Sequence, residues 1–237
     1  PHRRPSVLYN GMVAPLIPYT IKGVAWYQGT SNREWANEYF EQMSALITGW
    51  RKNWNNPKLP FYFLQLTPYK YSDSNLASII RENQQKTLQL PYTAMCSTMD
   101  IGDLNDLHYP YKLPFGRRLA NIALANSYAK KIPFCGPLYS NHAINNDKIV
   151  IDFNYNSKLN FKGNSLNDIF IAGNDRKFIK AEAYIENNKL IVFSPSIKEP
   201  VAVRYAWNST DKANLFNGAN LPASPFRTDN WENIIIE

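Results

Sequence analysis

The sequence predicts an α/β fold, part of a parallel sheet with flanking helices, followed by a small, mostly antiparallel β module. Three observations predict it. Over residues 1–136, short apolar runs alternate with helical periods in the order β-α-β-α-β-loop-α. Those runs are apolar on both faces, as strands are when helices cover both sides of a parallel sheet. After Gly136-Pro137 the long helical periods stop and short β-like runs take over. The chain therefore divides into an α/β part, 1–136, and a β-rich module, 137–237.

Each element has its own signal. Residues 21–27 read as the first strand, with Val24, Ala25 and Trp26 at its centre and Gly29 ending it. Ser31-Asn32-Arg33-Glu34 matches a capping box, in which Ser caps the backbone and Glu reaches back. Tyr39, Met43, Leu46, Ile47 and Trp50 then recur on one helical face, until the helix ends near Trp54. Pro60 introduces a second strand over 61–67, closed by Pro68. Residues 76–88 are helical, with Leu76, Ile79, Ile80 and Leu88 apolar and Arg81 and Gln84 on a solvated face. A third strand spans 93–99 and a third helix 115–129, which Ile132-Pro133 stops. In the module, 148–153, 170–172, 178–185, 189–194 and 201–207 read as strands, and Asn187-Asn188 as a hairpin turn.

Composition excludes several classes. Hydrophobic residues at 44% and aromatics at 14% belong to a globular chain, not a disordered one. Lys and Arg exceed Asp and Glu by 26 to 19, a net charge of +7, but the basic residues are scattered in pairs such as Arg117-Arg118 and Lys130-Lys131. With no basic stripe or nucleic-acid motif, a nucleic-acid partner is not expected, whereas a small anionic substrate fits. No C-x-x-C or His/Cys cluster points to a metal site or cofactor. Cys96 and Cys135 permit one disulfide without requiring it. No apolar run reaches the ~18 residues of a membrane span. Starting at Pro1-His2-Arg3-Arg4 without a signal peptide, the chain reads as a mature form or an internal fragment. Six Trp and fifteen Tyr are many, and aromatic rings stack on sugars as well as filling cores.

The chemistry gathers in the loop from Gly102 to Lys112 that follows the third strand. It presents Asp103, Asp106 and His108, with Asp100 just before it. Open α/β sheets place their sites in loops after strands. A carboxylate beside a His can fix its tautomer and make it a better base. A solvated turn capping the next helix is the competing reading. His2 and His142 are given no role.

At Gly23-Val24-Ala25-Trp26-Tyr27-Gln28-Gly29-Thr30-Ser31-Asn32 the chain resembles the sialate O-acetylesterase family of SGNH/GDSL-type hydrolases, which carries a Trp-Tyr-Gln-Gly-Glu-Ser-Asn segment there. Tyr9-Asn10-Gly11-Met12, Trp50-Arg51, Arg81-Glu82-x-Gln84, Asp106-Leu107-His108, Gly116-Arg117-Arg118 and Leu221-Pro222-Ala223-Ser224-Pro225-Phe226-Arg227 also match its pattern in order. The resemblance implies a flavodoxin-like sheet and a serine esterase that removes O-acetyl groups from sugars. It implies His108 as general base, Asp106 as its acid partner, and Gly29 and Asn32 as oxyanion donors. Gln28, Tyr27 and Arg81 would bind substrate. It also implies export to the periplasm or cell surface.

The departures matter as much. No Gly-Gln-Ser-Asn or Gly-Asp-Ser block occurs in 1–237, so the nucleophile is expected on an N-terminal segment of the same enzyme. Thr30 stands where the family has Glu, and Asn105 where many SGNH hydrolases have the Asp of their base pair, which leaves Asp103 and Asp100 as alternatives to Asp106. Ser31 lies at a strand-to-helix turn, but Arg33 breaks a Gly-x-Ser-x-Gly elbow, and helix capping accounts for Ser31. Two functions compete: an O-acetylesterase acting on sialate esters, xylan or xyloglucan, and a non-catalytic carbohydrate-binding or assembly module.

Overall fold

Strands β1 (Val24–Trp26), β2 (Phe61–Leu64) and β3 (Thr93–Cys96) form a parallel sheet in the order β1-β2-β3. The computed structural model describes residues 4, 6–72 and 75–232; His2 lies outside them. Ala25 pairs with Tyr62, and Tyr62 with Ala94. All four residues of β2 are buried, and they divide between two cores by the alternation of a strand. Phe61 and Phe63 pack with Met43 and Ile47 of α1 (Tyr39–Asn53) and Ala77 and Ile80 of α2 (Leu76–Lys86). Tyr62 and Leu64 pack with Phe115 and Ile122 of α3 (Leu113–Ser127). Helices thus cover both faces, and each large buried side chain contributes about 1.5–3 kcal/mol.

Three expectations need correction. The first strand is confined to β1, because pairing opens with the Val24 N–H on the Pro60 carbonyl at 2.9 Å, and Pro60 has no N–H to extend the ladder. The capping box does not form. Residues Thr30–Glu38 make a 3₁₀ segment with Gly29 at its N-cap and a break at Trp35 (φ −119°, ψ 38°), so α1 starts only at Tyr39. Ser31 falls inside that segment, exposed to solvent. Arg81 and Gln84 are not on a solvated face but buried, with 0% and 1% of their surface exposed.

Beyond residue 136 the described residues hold ten strands and no helix: β4 (Leu138–Asn145), β5 (Lys148–Asn154), β6 (Asn160–Phe161), β7 (Ile169–Ala172), β8 (Phe178–Lys180), β9 (Glu182–Glu186), β10 (Lys189–Phe193), β11 (Ala202–Tyr205), β12 (Leu215–Phe216) and β13 (Phe226–Arg227). They form antiparallel sheets β4-β5-β10-β9 and β13-β11-β7-β8, with β12-β6 beside them. Ile149, Ile151, Leu190 and Val192 from one sheet share a core with Ile169, Ile171, Val203 and Tyr205 from the other. Asn187 (φ 50°) and Asn188 (φ 63°) make the β9–β10 turn, both left-handed as a type I′ hairpin requires. Sequence patterning missed β4, an edge strand whose side chains are mostly exposed.

The module is tied to α2. Arg81 donates from Nε to the Leu66 carbonyl (3.0 Å), from Nη1 to Asn208 (3.0 Å), and from Nη2 to Thr67 (3.2 Å) and Ser209 (3.0 Å). Burial lowers its pKa to about 10, so it stays charged at neutral pH. The Ser78 hydroxyl bonds the Trp207 carbonyl, and Glu82 takes a two-pronged ion pair from Arg227 at 2.8 and 2.9 Å. Cys96 and Cys135 are both free and buried.

Arg81→Met should lower the unfolding free energy by about 3–5 kcal/mol, since the buried Leu66 and Thr67 carbonyls lose their donor and those of Asn208 and Ser209 each lose one of two; a change under about 1 kcal/mol in urea denaturation would show that Arg81 is not a tether. Near it, burial pushes the Asp211 carboxyl up to about 6, against the opposing pull of the Asn208 N–H. An acid whose folded pKa is raised stabilises the fold below its unfolded pKa and loses that contribution as pH rises through the folded one. Stability should therefore drop between about pH 4 and 6, and Asp211→Asn should flatten that slope in pH-dependent melts.

Candidate active site

In a parallel sheet the three chain segments that leave the strands emerge at one edge. After β1 come Tyr27, Gln28, Gly29 and Asn32; after β2, residues 65–71; after β3, the loop that carries His108. The three segments interlock. The Thr98 hydroxyl donates to the Gln65 carbonyl at 2.5 Å, and the Lys70 N–H to the Leu104 carbonyl at 3.0 Å. Gly102, at φ 92°, lies against Thr67, where a Cβ would come within 3.4 Å of the Thr67 methyl. Tyr27 stacks on Phe115 at 5.3 Å, with the Lys112 ammonium 5.6 Å from the Tyr27 ring, so the first loop touches the start of α3. Arg33 lies 3.7 Å from the ring centre of Tyr71.

Gly29 is buried and held at φ 151°, ψ −27°, a conformation that side chains with a Cβ rarely adopt. A Cβ there would also lie 3.3 Å from Gln84 Nε2. The Gly29 carbonyl accepts the Asn32 N–H at 3.0 Å, while the Gly29 N–H donates to nothing among the described residues. The Asn32 side chain is pinned from both ends: Oδ1 accepts from Gln28 Nε2 at 2.5 Å, and Nδ2 donates to Gln42 Oε1 at 2.8 Å. An amide nitrogen carries two hydrogens, so Nδ2 keeps one more to donate.

His108 is exposed on a turn closed by the Tyr109 N–H on the Asp106 carbonyl. Asp106 Oδ1 accepts the His108 backbone N–H at 2.9 Å, an Asx turn rather than a bond to the imidazole. The alternative carboxylates are also engaged. Asp103 accepts the Asn105 N–H at 2.8 Å, and Asp100 holds Arg118 by two contacts of 2.7 Å. Of the three, Asp106 alone fixes the turn that carries His108.

Of the residues expected at the site, Tyr27, Gln28, Gly29 and Asn32 sit together at the end of β1, and His108 lies at the same sheet edge after β3. Arg81 does not join them as a substrate ligand, because its guanidinium is fully buried and bonded to backbone carbonyls. Sequence reading undervalued Gln84. Its signal was spacing: Ala77, Ile80, Arg81 and Gln84 recur at helical intervals and share the buried stripe of α2. A cavity of about 320 Å³, lined in part by Trp26, Gln28, Asn32 and Met43, opens beside β1, whose outer edge has no strand partner among the described residues.

Comparison with known proteins bears on this geometry. A family profile described as carbohydrate esterase, sialic acid-specific acetylesterase, matches residues 3–125. Sialate O-acetylesterases from Rattus norvegicus and Homo sapiens are each 28% identical across 93% of this chain, which covers 46% and 48% of them respectively. The crystal structure of a carbohydrate acetylesterase from Xanthomonas citri superposes with a TM-score of 0.91 at 38% identity, over 94% of this chain and 54% of that one. The chain thus spans about half the length of the relatives it matches.

Gly29→Ala should cost about 1–3 kcal/mol of stability, the range for a strained backbone conformation, and thermal melting reads it directly. A melting point equal to that of the parent chain would contradict the conformation seen at Gly29.

Proposed function

Because the chain belongs to the sialic acid-specific acetylesterase family of carbohydrate esterases, we propose that it forms the larger part of the active site of a sugar O-acetylesterase. One observation carries the reading: a Gly29 N–H with no acceptor among the described residues and an exposed His108 lie on segments that follow neighbouring parallel strands of one sheet.

The reaction is acyl transfer through a serine supplied by an N-terminal segment outside residues 1–237. The serine hydroxyl attacks the acetyl carbonyl while the His108 imidazole takes its proton. Negative charge collects on the former carbonyl oxygen, where the Gly29 N–H and the free Asn32 amide hydrogen donate to it. His108 then protonates the departing sugar oxygen, leaving an acetyl-serine. Water, deprotonated by His108, releases acetate and regenerates the serine. Asp106 acts by holding the His108 turn, with Oδ2 left to orient the imidazole.

The serine-bearing segment has a place to dock. β1 pairs only with β2 among the described residues, and an unpaired strand edge is a template for another strand. We assign residues 1–136 to the catalytic unit and 137–237 to a module that braces it through α2. Tyr27 and Gln28 face the sugar, and Lys112 beside Tyr27 offers its charge to the carboxylate of a sialate ester. The family setting favours action outside the cytoplasm; no helix of the described residues is long and apolar enough to cross a membrane. The absence of a Gly-Gln-Ser-Asn block favours a second reading for residues 1–237 alone, a carbohydrate-binding module.

Hydrolysis of an aryl acetate separates the two. Residues 1–237 alone should show only trace activity, on the order of 10⁴-fold below the complemented enzyme. Adding the serine-bearing segment should restore turnover, His108→Ala should abolish it, and Asn32→Ala should lower kcat about 10²–10³-fold. Full activity in the isolated chain that Ser31→Ala removes without unfolding it would place the nucleophile at Ser31 and overturn the assignment.

A further inference from the structure

We propose that Gln84 is a positioning residue that locks the peptide between Gln28 and Gly29 so that the Gly29 N–H faces the cleft. The inference rests on the reading of that N–H as an oxyanion donor.

Gln84 is 1% exposed and makes two bonds of opposite sense. Its Oε1 accepts the Leu66 N–H at 2.8 Å, and its Nε2 donates to the Gln28 carbonyl at 3.2 Å. Because Leu66 N–H can only donate, the amide orientation of Gln84 is fixed, and Nε2 is the end presented to Gln28. The Tyr39 hydroxyl stands 3.3 Å from the same carbonyl and 3.3 Å from Gln28 Oε1, and its one hydrogen is shared between the two. Burial raises the Tyr39 pKa, so its hydroxyl stays protonated and able to donate.

In a trans peptide the carbonyl and the following N–H point in opposite directions, and the chain has no cis bonds among the described residues. Drawing the Gln28 oxygen inward, toward α2, therefore turns the Gly29 N–H outward. Glycine gives this peptide the freedom to rotate the other way. A flipped peptide would present the Gln28 oxygen to the cleft, where it would repel the oxyanion that the N–H attracts. Gln84 is the side chain that discriminates between the two states, and it acts from beneath the site without touching substrate.

The test uses the enzyme with its serine-bearing segment. In Gln84→Glu the ionised carboxylate still accepts from Leu66, but its second oxygen meets the Gln28 oxygen as acceptor against acceptor. The flip relieves this by turning the Gly29 N–H inward. With an aryl acetate, kcat should fall about 10²–10³-fold, the cost of one oxyanion donor, with KM within about twofold. The deficit relative to the parent enzyme should shrink as pH falls, because a protonated carboxyl donates to Gln28 again. A purely structural role would lower the melting point and leave kcat per folded molecule unchanged and without that pH response. Should Gln84→Glu fail to fold, Gln84→Met is expected to show the drop in kcat without rescue at low pH. Folded enzyme of either variant with parental kcat overturns the proposal. The oxyanion reading is checked separately in the parent enzyme, by following the ¹⁵N-labelled Gly29 amide signal as the serine reacts with an alkyl phosphonate. A shift of that signal alongside parental kcat in Gln84→Glu sinks the role of Gln84 alone. No shift on phosphonylation sinks the oxyanion reading and this inference with it.

Discussion

The buried polar stripe of α2 is the constraint on which the rest of the structure depends. A helix packed on a sheet ordinarily buries an apolar stripe. Here Ser78, Arg81, Asn83 and Gln84 are buried with Ala77 and Ile80, and each bonds backbone outside its own helix: Arg81 and Gln84 hold the Leu66 carbonyl and N–H just past the end of a strand, while Asn83 adds a second donor to the Ala36 carbonyl, which also accepts the Tyr39 N–H. Asn83 holds the Ala36 carbonyl of the 3₁₀ segment, Gln84 the turn after β1, and Gln84 and Arg81 together the chain just after β2. Loops without ladders leave buried carbonyls and N–H groups that must be paired somewhere. Helix α2 pairs them, and so fixes the edge at which Gly29 stands.

The β module contributes to the same end from outside. Arg204 is buried in an ion pair with Asp229, at 3.0 and 2.8 Å, and lies over the Phe178 ring at 4.5 Å. Arg227 lies 5.1 Å from the Trp207 ring centre and reaches across to Glu82. Charges stacked between rings and paired with carboxylates keep most of their partners on leaving water. The module meets Ser78 and Arg81 of α2 through the backbone carbonyls of residues 207–209.

The alternation of strands and helices was legible because Phe61–Leu64 and its neighbours are apolar on both faces, a pattern that depends on composition alone. The turn at Asn187-Asn188 was legible for a similar reason, since asparagine tolerates the left-handed conformation. What sequence could not supply was long-range pairing. β4 is defined by its ladder to β5, and β6, β12 and β13 are two residues each. Ser31 reads as a helix cap by its neighbours, but the turn at Gly29 moves the N-cap two residues upstream. Arg81 and Gln84 read as solvent-facing by chemistry, whereas their carbonyl partners lie as far away as Asn208 and Ser209. The resemblance of their motifs singled out Gly29–Asn32 and the His108 loop, and the structure places these on segments that follow β1 and β3 of one sheet. The engagement of Asp106 with a backbone N–H was not, because a carboxylate two residues from a His bonds equally well to main chain or to ring.

The central claim is that the segments after β1 and β3 form one acyl-transfer site whose donor at Gly29 is held in place from α2. A crystal structure of the chain with its serine-bearing segment, the serine phosphonylated, tests it most directly. The account predicts a phosphoryl oxygen about 3 Å from both the Gly29 nitrogen and Asn32 Nδ2, His108 within hydrogen-bond reach of the serine oxygen, and Gln84 still bonded to the Gln28 carbonyl. A phosphoryl oxygen bound elsewhere, or a Gln28 carbonyl turned into the cleft, would contradict it.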